Sequence, residues 1–180
     1  QGKPSSMARA QYSRLRGDLG DDSATDLLLG RLEDPTPRVR EEACRALGRL
    51  KVLSAAPKLR DLLKDGEILV QEAAALALGQ LGDADSAGAL SALLEDIRQP
   101  ASLRVASAEA LGLLEPALGR ASLVGALRKD PTARVRRAAV EALRRLTGLD
   151  RCYDPDAPEA AREEATKSWE EWLAEQGSGG

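Results

Sequence analysis

The sequence predicts an all-α protein, a solenoid of stacked antiparallel helix pairs closed by a C-terminal capping helix. Three observations carry that expectation. A line is written twice, "DPTPRVREEACRALGRL" at 34–50 and "DPTARVRRAAVEALRRL" at 130–146. A shorter phrase recurs at Ala46–Leu50, Ala77–Leu81, Ala110–Leu114 and Ala142–Leu146, at spacings of 31, 33 and 32 residues. The composition favours helix: 43 % of residues are hydrophobic but only 2 % are aromatic, with no Phe, so any core is built from Leu, Ala and Val.

Along the chain, residues 1–6, ahead of Met7, read as a cloning remnant, and 177–180 as a flexible tail. The repeats are expected over 7–148, as a degenerate N-terminal unit followed by four clear ones. The degenerate unit shows itself only as Leu19 and Leu32, thirteen residues apart, the interval that also separates Leu50 from Leu63, Leu81 from Leu94 and Leu114 from Leu127. Eight residues before Leu47, Leu78, Leu111 and Leu143 stand Val39, Val70, Leu103 and Val135. Each unit reads as two helices. Over Ser54–Asp65 the first carries Leu59, Leu62 and Leu63 at helical spacing, and the second, from about Glu67, places Val70, Ala74, Ala77, Leu78 and Leu81 on one face. Asp34-Pro35, Asp65-Gly66 and Asp130-Pro131 separate the helices of a unit, and Gly82 suits a left-handed helix end. A pair this small cannot bury its apolar face alone, so pairs must stack.

The tail, 149–176, breaks the period. "DAPEAAREEATKSWEEWL" reads as a helix with Ala161, Ala165, Trp169, Trp172 and Leu173 on one side. The two Trp are expected to cover the last layer; the competing reading is an exposed aromatic pair that grips a ligand. Residues 131–146 hold five Arg and one Glu, whereas 150–176 hold nine acidic and three basic residues, so the cap and the last repeat should attract.

The quoted units, together with "ALALGQLGD", resemble HEAT repeats of the short bacterial class named after phycobilisome-lyase-like sequences. The resemblance covers about Leu19 to Gly148. It implies a right-handed superhelix with first helices on the convex side and second helices on the concave side. It also implies a ladder between each inter-helix Asp and an Arg six residues later, as in Asp34/Arg40 and Asp130/Arg136. That ladder should weaken in the middle, where Gln71 follows Asp65 and a two-residue insertion precedes Arg104.

Catalytic chemistry is hard to assemble, and no enzyme activity, cofactor or metal is expected. The chain has no His, which removes the commonest base and metal ligand and the di-iron site of HEAT-type hydroxylases. Cys44 and Cys152 are too few for a zinc site; Cys44 falls among apolar helix positions. Asp83 with Asp85, and Asp154 with Asp156, stand in turn sequence, where Asp serves local hydrogen bonding. "GQLGDADSAG" lacks the Lys of a phosphate loop.

The working part is then expected to be a surface. The outward positions of the second helices are Arg38, Glu41 and Arg45, then Leu69, Glu72 and Leu76, then Val105, Glu109 and Leu113, then Arg134, Arg137, Glu141 and Arg145. On the concave side these make a groove apolar in the middle and charged at its ends, fitted to a protein or peptide. Tight packing of neighbouring inner helices is the alternative, and it would hide them. A second class, a nucleic-acid backbone on Arg134, Arg136, Arg137, Arg144 and Arg145, is disfavoured by the net charge of −3 and by the Glu residues on the same helices. A third is a bilin-lyase-related chaperone. No stretch is long and apolar enough to span a membrane, and the expectation is a monomer in the cytoplasm.

Overall fold

In the computed structural model, which describes residues 25–177, every regular element among the described residues is helical. The remnant at 1–6, Leu19 of the degenerate unit and the tail at 178–180 lie outside the described residues. The chain divides into two compact units that meet between Ser86 and Ala87. The first contains α1 (Thr25–Arg31), α2 (Pro37–Arg49), α3 (Ala56–Leu62) and α4 (Ile68–Leu81). The second contains α5 (Ala87–Glu95), α6 (Ala101–Leu111), α7 (Pro116–Lys129), α8 (Ala133–Thr147) and α9 (Glu159–Gly177). Among the described residues no helix is long and apolar enough to cross a membrane.

The helix boundaries follow from local chemistry. Each inter-helix Asp accepts the backbone N–H two residues on: Asp34 from Thr36 at 2.8 Å, Asp65 from Glu67 at 2.9 Å, Asp96 from Arg98 at 3.1 Å and Asp130 from Thr132 at 2.8 Å. This local turn bends the chain between paired helices, with the side chain substituting for a backbone acceptor. Pro37 then opens α2, where its missing N–H costs nothing. Gly82 ends α4 at φ +71° and Gly148 ends α8 at φ +69°, conformations that Gly adopts without a Cβ clash.

Packing is second helix on second helix, α2 against α4 in the first unit and α6 against α8 in the second, with α5 against α7 below them. The register positions Val39, Val70, Leu103 and Val135 are all fully buried, as are Leu47, Leu78, Leu111 and Leu143. Each such side chain contributes roughly 1.5–3 kcal/mol of transfer free energy. Glycine in the recurring phrase sets the helix separation. A Cβ on Gly48 would lie 2.9 Å from Ala77 Cα, and one on Gly112 would lie 2.9 Å from Ala142 Cα. In the fourth copy Arg144 takes that place, and its guanidinium reaches Asp150 at 2.9 Å.

The ladder differs from the one the resemblance implies. Arg40 does not pair with the carboxylate of Asp34; its Nη1 donates to the Asp34 backbone carbonyl at 2.8 Å. Its Nε and Nη2 instead hold both oxygens of Asp65, 25 residues on, at 2.8 Å each. Arg136 likewise donates to the Asp130 carbonyl at 2.8 Å and to the Pro155 carbonyl at 2.7 Å. The insertion before Arg104 breaks nothing: Arg104 donates to the carbonyls of Ile97 and Gln99 and clasps Asp130. Each rung therefore ties one repeat's turn to the next. A planar guanidinium has donors enough for both jobs. Gln71 keeps only the first, donating to the Asp65 carbonyl.

The last segment covers the first-helix layer. α9 packs on α7, with Trp169 fully buried and Trp172 8 % exposed. Their rings meet edge to face, centroids 5.7 Å apart. The buried stripe is Thr166, Trp169 and Trp172; Ala161 is exposed. The guanidinium of Arg120 lies over the Trp172 ring at 5.5 Å and that of Arg151 over Trp169 at 5.8 Å. Tyr153 is 2 % exposed and its hydroxyl donates to the Leu127 carbonyl at 2.7 Å, while burial pushes its phenol above the ordinary value. The expected charge attraction takes the form of Arg137 with Asp156, Arg144 with Asp150 and Arg128 with Glu170.

Candidate functional site

In the first unit the outward positions of α4 make a stripe at helical spacing. Leu69 is 57 % exposed, and Glu72 and Leu76 are half-buried. Glu72 is the one charged residue on α4 and has no ion pair among the described residues. The neighbouring α2 behaves differently. Glu41 and Glu42 are buried, the first bound by Arg45 and the second 3.6 Å from Arg38. Arg38 and Arg45 are thus engaged on their own helix. The surface of this unit is two leucines flanking a carboxylate, beside a helix whose charges are paired.

In the second unit the corresponding positions scatter. Val105 is 7 % exposed, covered by neighbouring side chains. Glu109 is exposed on α6, and Leu113, just past its end, is 44 % exposed. On α8, Arg134, Arg137, Glu141 and Arg145 are all exposed. Arg137 is held by Asp156, whereas Arg134 and Arg145 have no carboxylate partner among the described residues. Arg145 runs past Gly112: its Nη1 would lie 3.3 Å from a Cβ placed there. An open leucine and an open guanidinium are therefore neighbours on this face.

Of the five arginines of the nucleic-acid footprint, Arg136 is 7 % exposed and consumed by two backbone carbonyls. Arg137 and Arg144 are bound to carboxylates. Two open cations make a poor phosphate track. Cys44 is fully buried and burial pushes its thiol up to about 12, so it is packing rather than a nucleophile. Asp83 and Asp85 do not form a carboxylate pair for chemistry; both face Arg60, at 3.7 and 2.7 Å.

Comparison with known proteins agrees with this architecture. The family model for HEAT repeats matches at 1–67, 25–99 and 56–144. None of the curated proteins matches. Among solved structures, the complex of CpcE and CpcF of phycocyanin lyase from Nostoc sp. PCC7120 superposes with a TM-score of 0.68 at 28 % identity. That match covers 82 % of this chain and 62 % of the other, so this chain spans less than two thirds of its length. With helix pairs at the repeat spacing, the buried register positions and a family match over most of its length, the chain belongs to the HEAT-repeat family.

Proposed function

We propose that this chain is a non-catalytic binding module that receives a protein or peptide on the outward faces of its second helices. One observation carries the reading: α4 presents Leu69 and Leu76 to either side of Glu72 and bears no other charge. An apolar stripe around a single unpaired carboxylate suits a partner segment with apolar side chains and one cation between them. In the second unit, Leu113 beside Arg145 offers an apolar contact with the opposite charge. Arg38, Glu41 and Arg45 act within α2, and Val105 supports the fold from beneath. The similarity to a subunit within a two-subunit lyase complex favours a protein partner.

The test is co-purification of the wild-type chain from its source cells, with partners identified by mass spectrometry, beside a Leu69→Ser/Leu76→Ser variant and a Leu113→Ser variant. Helical circular dichroism should be unchanged in all three. Partner recovery falls at least tenfold in one or both variants, and undiminished recovery in both rejects the reading.

The same similarity favours a second reading, a lyase-related role in handling a bilin. A shift of the visible absorption band of a linear tetrapyrrole on mixing with the chain supports it. An unchanged spectrum excludes it.

A further inference from the structure

On the opposite, first-helix side of the second unit lies a cleft that belongs to none of these surfaces. It has a volume of about 350 Å³ and runs between the C-terminal turns of α5 and α7. Leu94 and Ala126, 1 % and 7 % exposed, form its floor. Its wall on α7 is made of small residues one turn apart, Ala121 and Gly125, and a Cβ built on Gly125 meets nothing within 4 Å. Ile97, 61 % exposed in the turn after α5, at the position that Pro35, Gly66 and Pro131 hold in the other turns, lines the opening.

Two opposite charges line the rim. Glu95 is fixed by the Ser122 hydroxyl, which donates to its Oε1 at 2.7 Å. Lys129 is exposed. Among the described residues neither forms an ion pair, with the other or with anything else. The third charged group, Asp130, is spent: Arg104 and the Thr132 amide occupy both of its oxygens. The cleft thus offers an apolar floor, one oriented anionic acceptor and one free ammonium donor. Pockets of this size that are mostly apolar with a few placed polar groups are the usual form of a small-ligand site.

We propose that this cleft binds a free apolar α-amino acid of leucine-like size. The branched side chain lies on Leu94 and Ala126 under Ile97, the α-ammonium donates to Glu95 and the α-carboxylate accepts from Lys129. A ligand with one charge satisfies only one side of the rim; a zwitterion satisfies both.

The test is calorimetric titration of the full chain with L-leucine, 4-methylpentanoate and isopentylamine, the last two lacking one charge each. Leucine should bind with a Kd of about 1 mM or tighter, and each single-charge analogue should bind at least about tenfold more weakly. Gly125→Met fills the cleft from a position with free space, so it should abolish binding while Tm stays level or rises. Lys129→Gln should remove the preference for leucine over isopentylamine. The proposal fails if leucine gives no saturable heat, if Gly125→Met binds it as tightly as wild type, or if either analogue matches it. A leucine-initiated peptide that binds better than leucine itself also overturns it.

Discussion

Arg104 and Asp130, 26 residues apart, face each other through two hydrogen bonds of 2.8 and 3.1 Å, with side chains only 4 % and 3 % exposed. The pair joins the turn of one repeat to the turn of the next, and the same guanidinium also holds the carbonyls of its own turn. Removing one partner leaves the other charge buried. Arg104→Ala should cost roughly 3–5 kcal/mol, read as a fall in urea midpoint. Arg104→Lys should recover little, because one ammonium cannot replace a bidentate fork. A loss below about 1 kcal/mol in both would show that the rung is not structural.

Glycine positions separate close packing from open space. Gly112→Ala places a methyl 2.6 Å from the Ala142 Cβ and should destabilise by about 1–3 kcal/mol through overpacking. Gly125→Ala meets nothing within 4 Å and should stabilise by about 0.5–1 kcal/mol, the helical advantage of Ala over Gly. Thermal unfolding of the two variants side by side checks the opposite signs.

The exposed and partly buried carboxylates set the acid limb of stability. Burial raises the Asp65 carboxyl, but the Arg40 hydrogen bonds and the Glu67 amide outweigh it and leave it below its ordinary value. Arg98 draws Asp96 down to about 2, and Arg144 lowers Asp150. A carboxyl lowered in the folded state contributes stability that is present above its unfolded pKa of about 4 and is lost as pH falls through the folded value. The urea midpoint should be flat near neutrality and drop from about pH 4.5 toward pH 2. Asp65→Asn should make that drop shallower, and a wild-type midpoint insensitive to acid would contradict the lowered values.

The cap depends on its buried aromatics. Trp169→Ala empties a fully buried site and should cost about 3–5 kcal/mol. Tyr153→Phe removes the hydroxyl that satisfies the Leu127 carbonyl and should cost about 0.5–1.5 kcal/mol. Equilibrium denaturation with both variants measures this; a null effect of Trp169→Ala would mean that α9 is not part of the folded unit.

Much of the fold was legible because it repeats. The spacing of Val39, Val70, Leu103 and Val135 identifies buried positions from the sequence alone, since a helix presents the same face at fixed intervals and stacking demands that face be apolar. The rungs were only half legible. Sequence places Asp34 six residues before Arg40, but the direction of a long side chain decides whether it bonds the carboxylate of its own turn or of the next, and spacing carries no such information. Glu72, Val105 and Arg137 show the same limit at the surface: each stands two residues after its register position, yet the first is half-buried, the second covered and the third open. How much of an outward position stays exposed depends on the size of its neighbours, which differ between repeats. The cleft beside Ile97 was missed altogether. Its signals were an isoleucine at 97, where the other turns carry Pro35, Gly66 and Pro131, and a glycine at 125 inside a helix, each of which alone reads as irregularity.

The most direct test of the binding role is site-specific photo-crosslinking of the full chain in its source cells. A photoreactive residue is placed singly at Leu69 and Leu113, on the second-helix faces, and at Asp61 and Ala92, exposed on the first helices. The account predicts a discrete crosslinked protein from 69 or 113 and none of it from 61 or 92. The same adduct from the first-helix positions, with 69 and 113 silent, would contradict it.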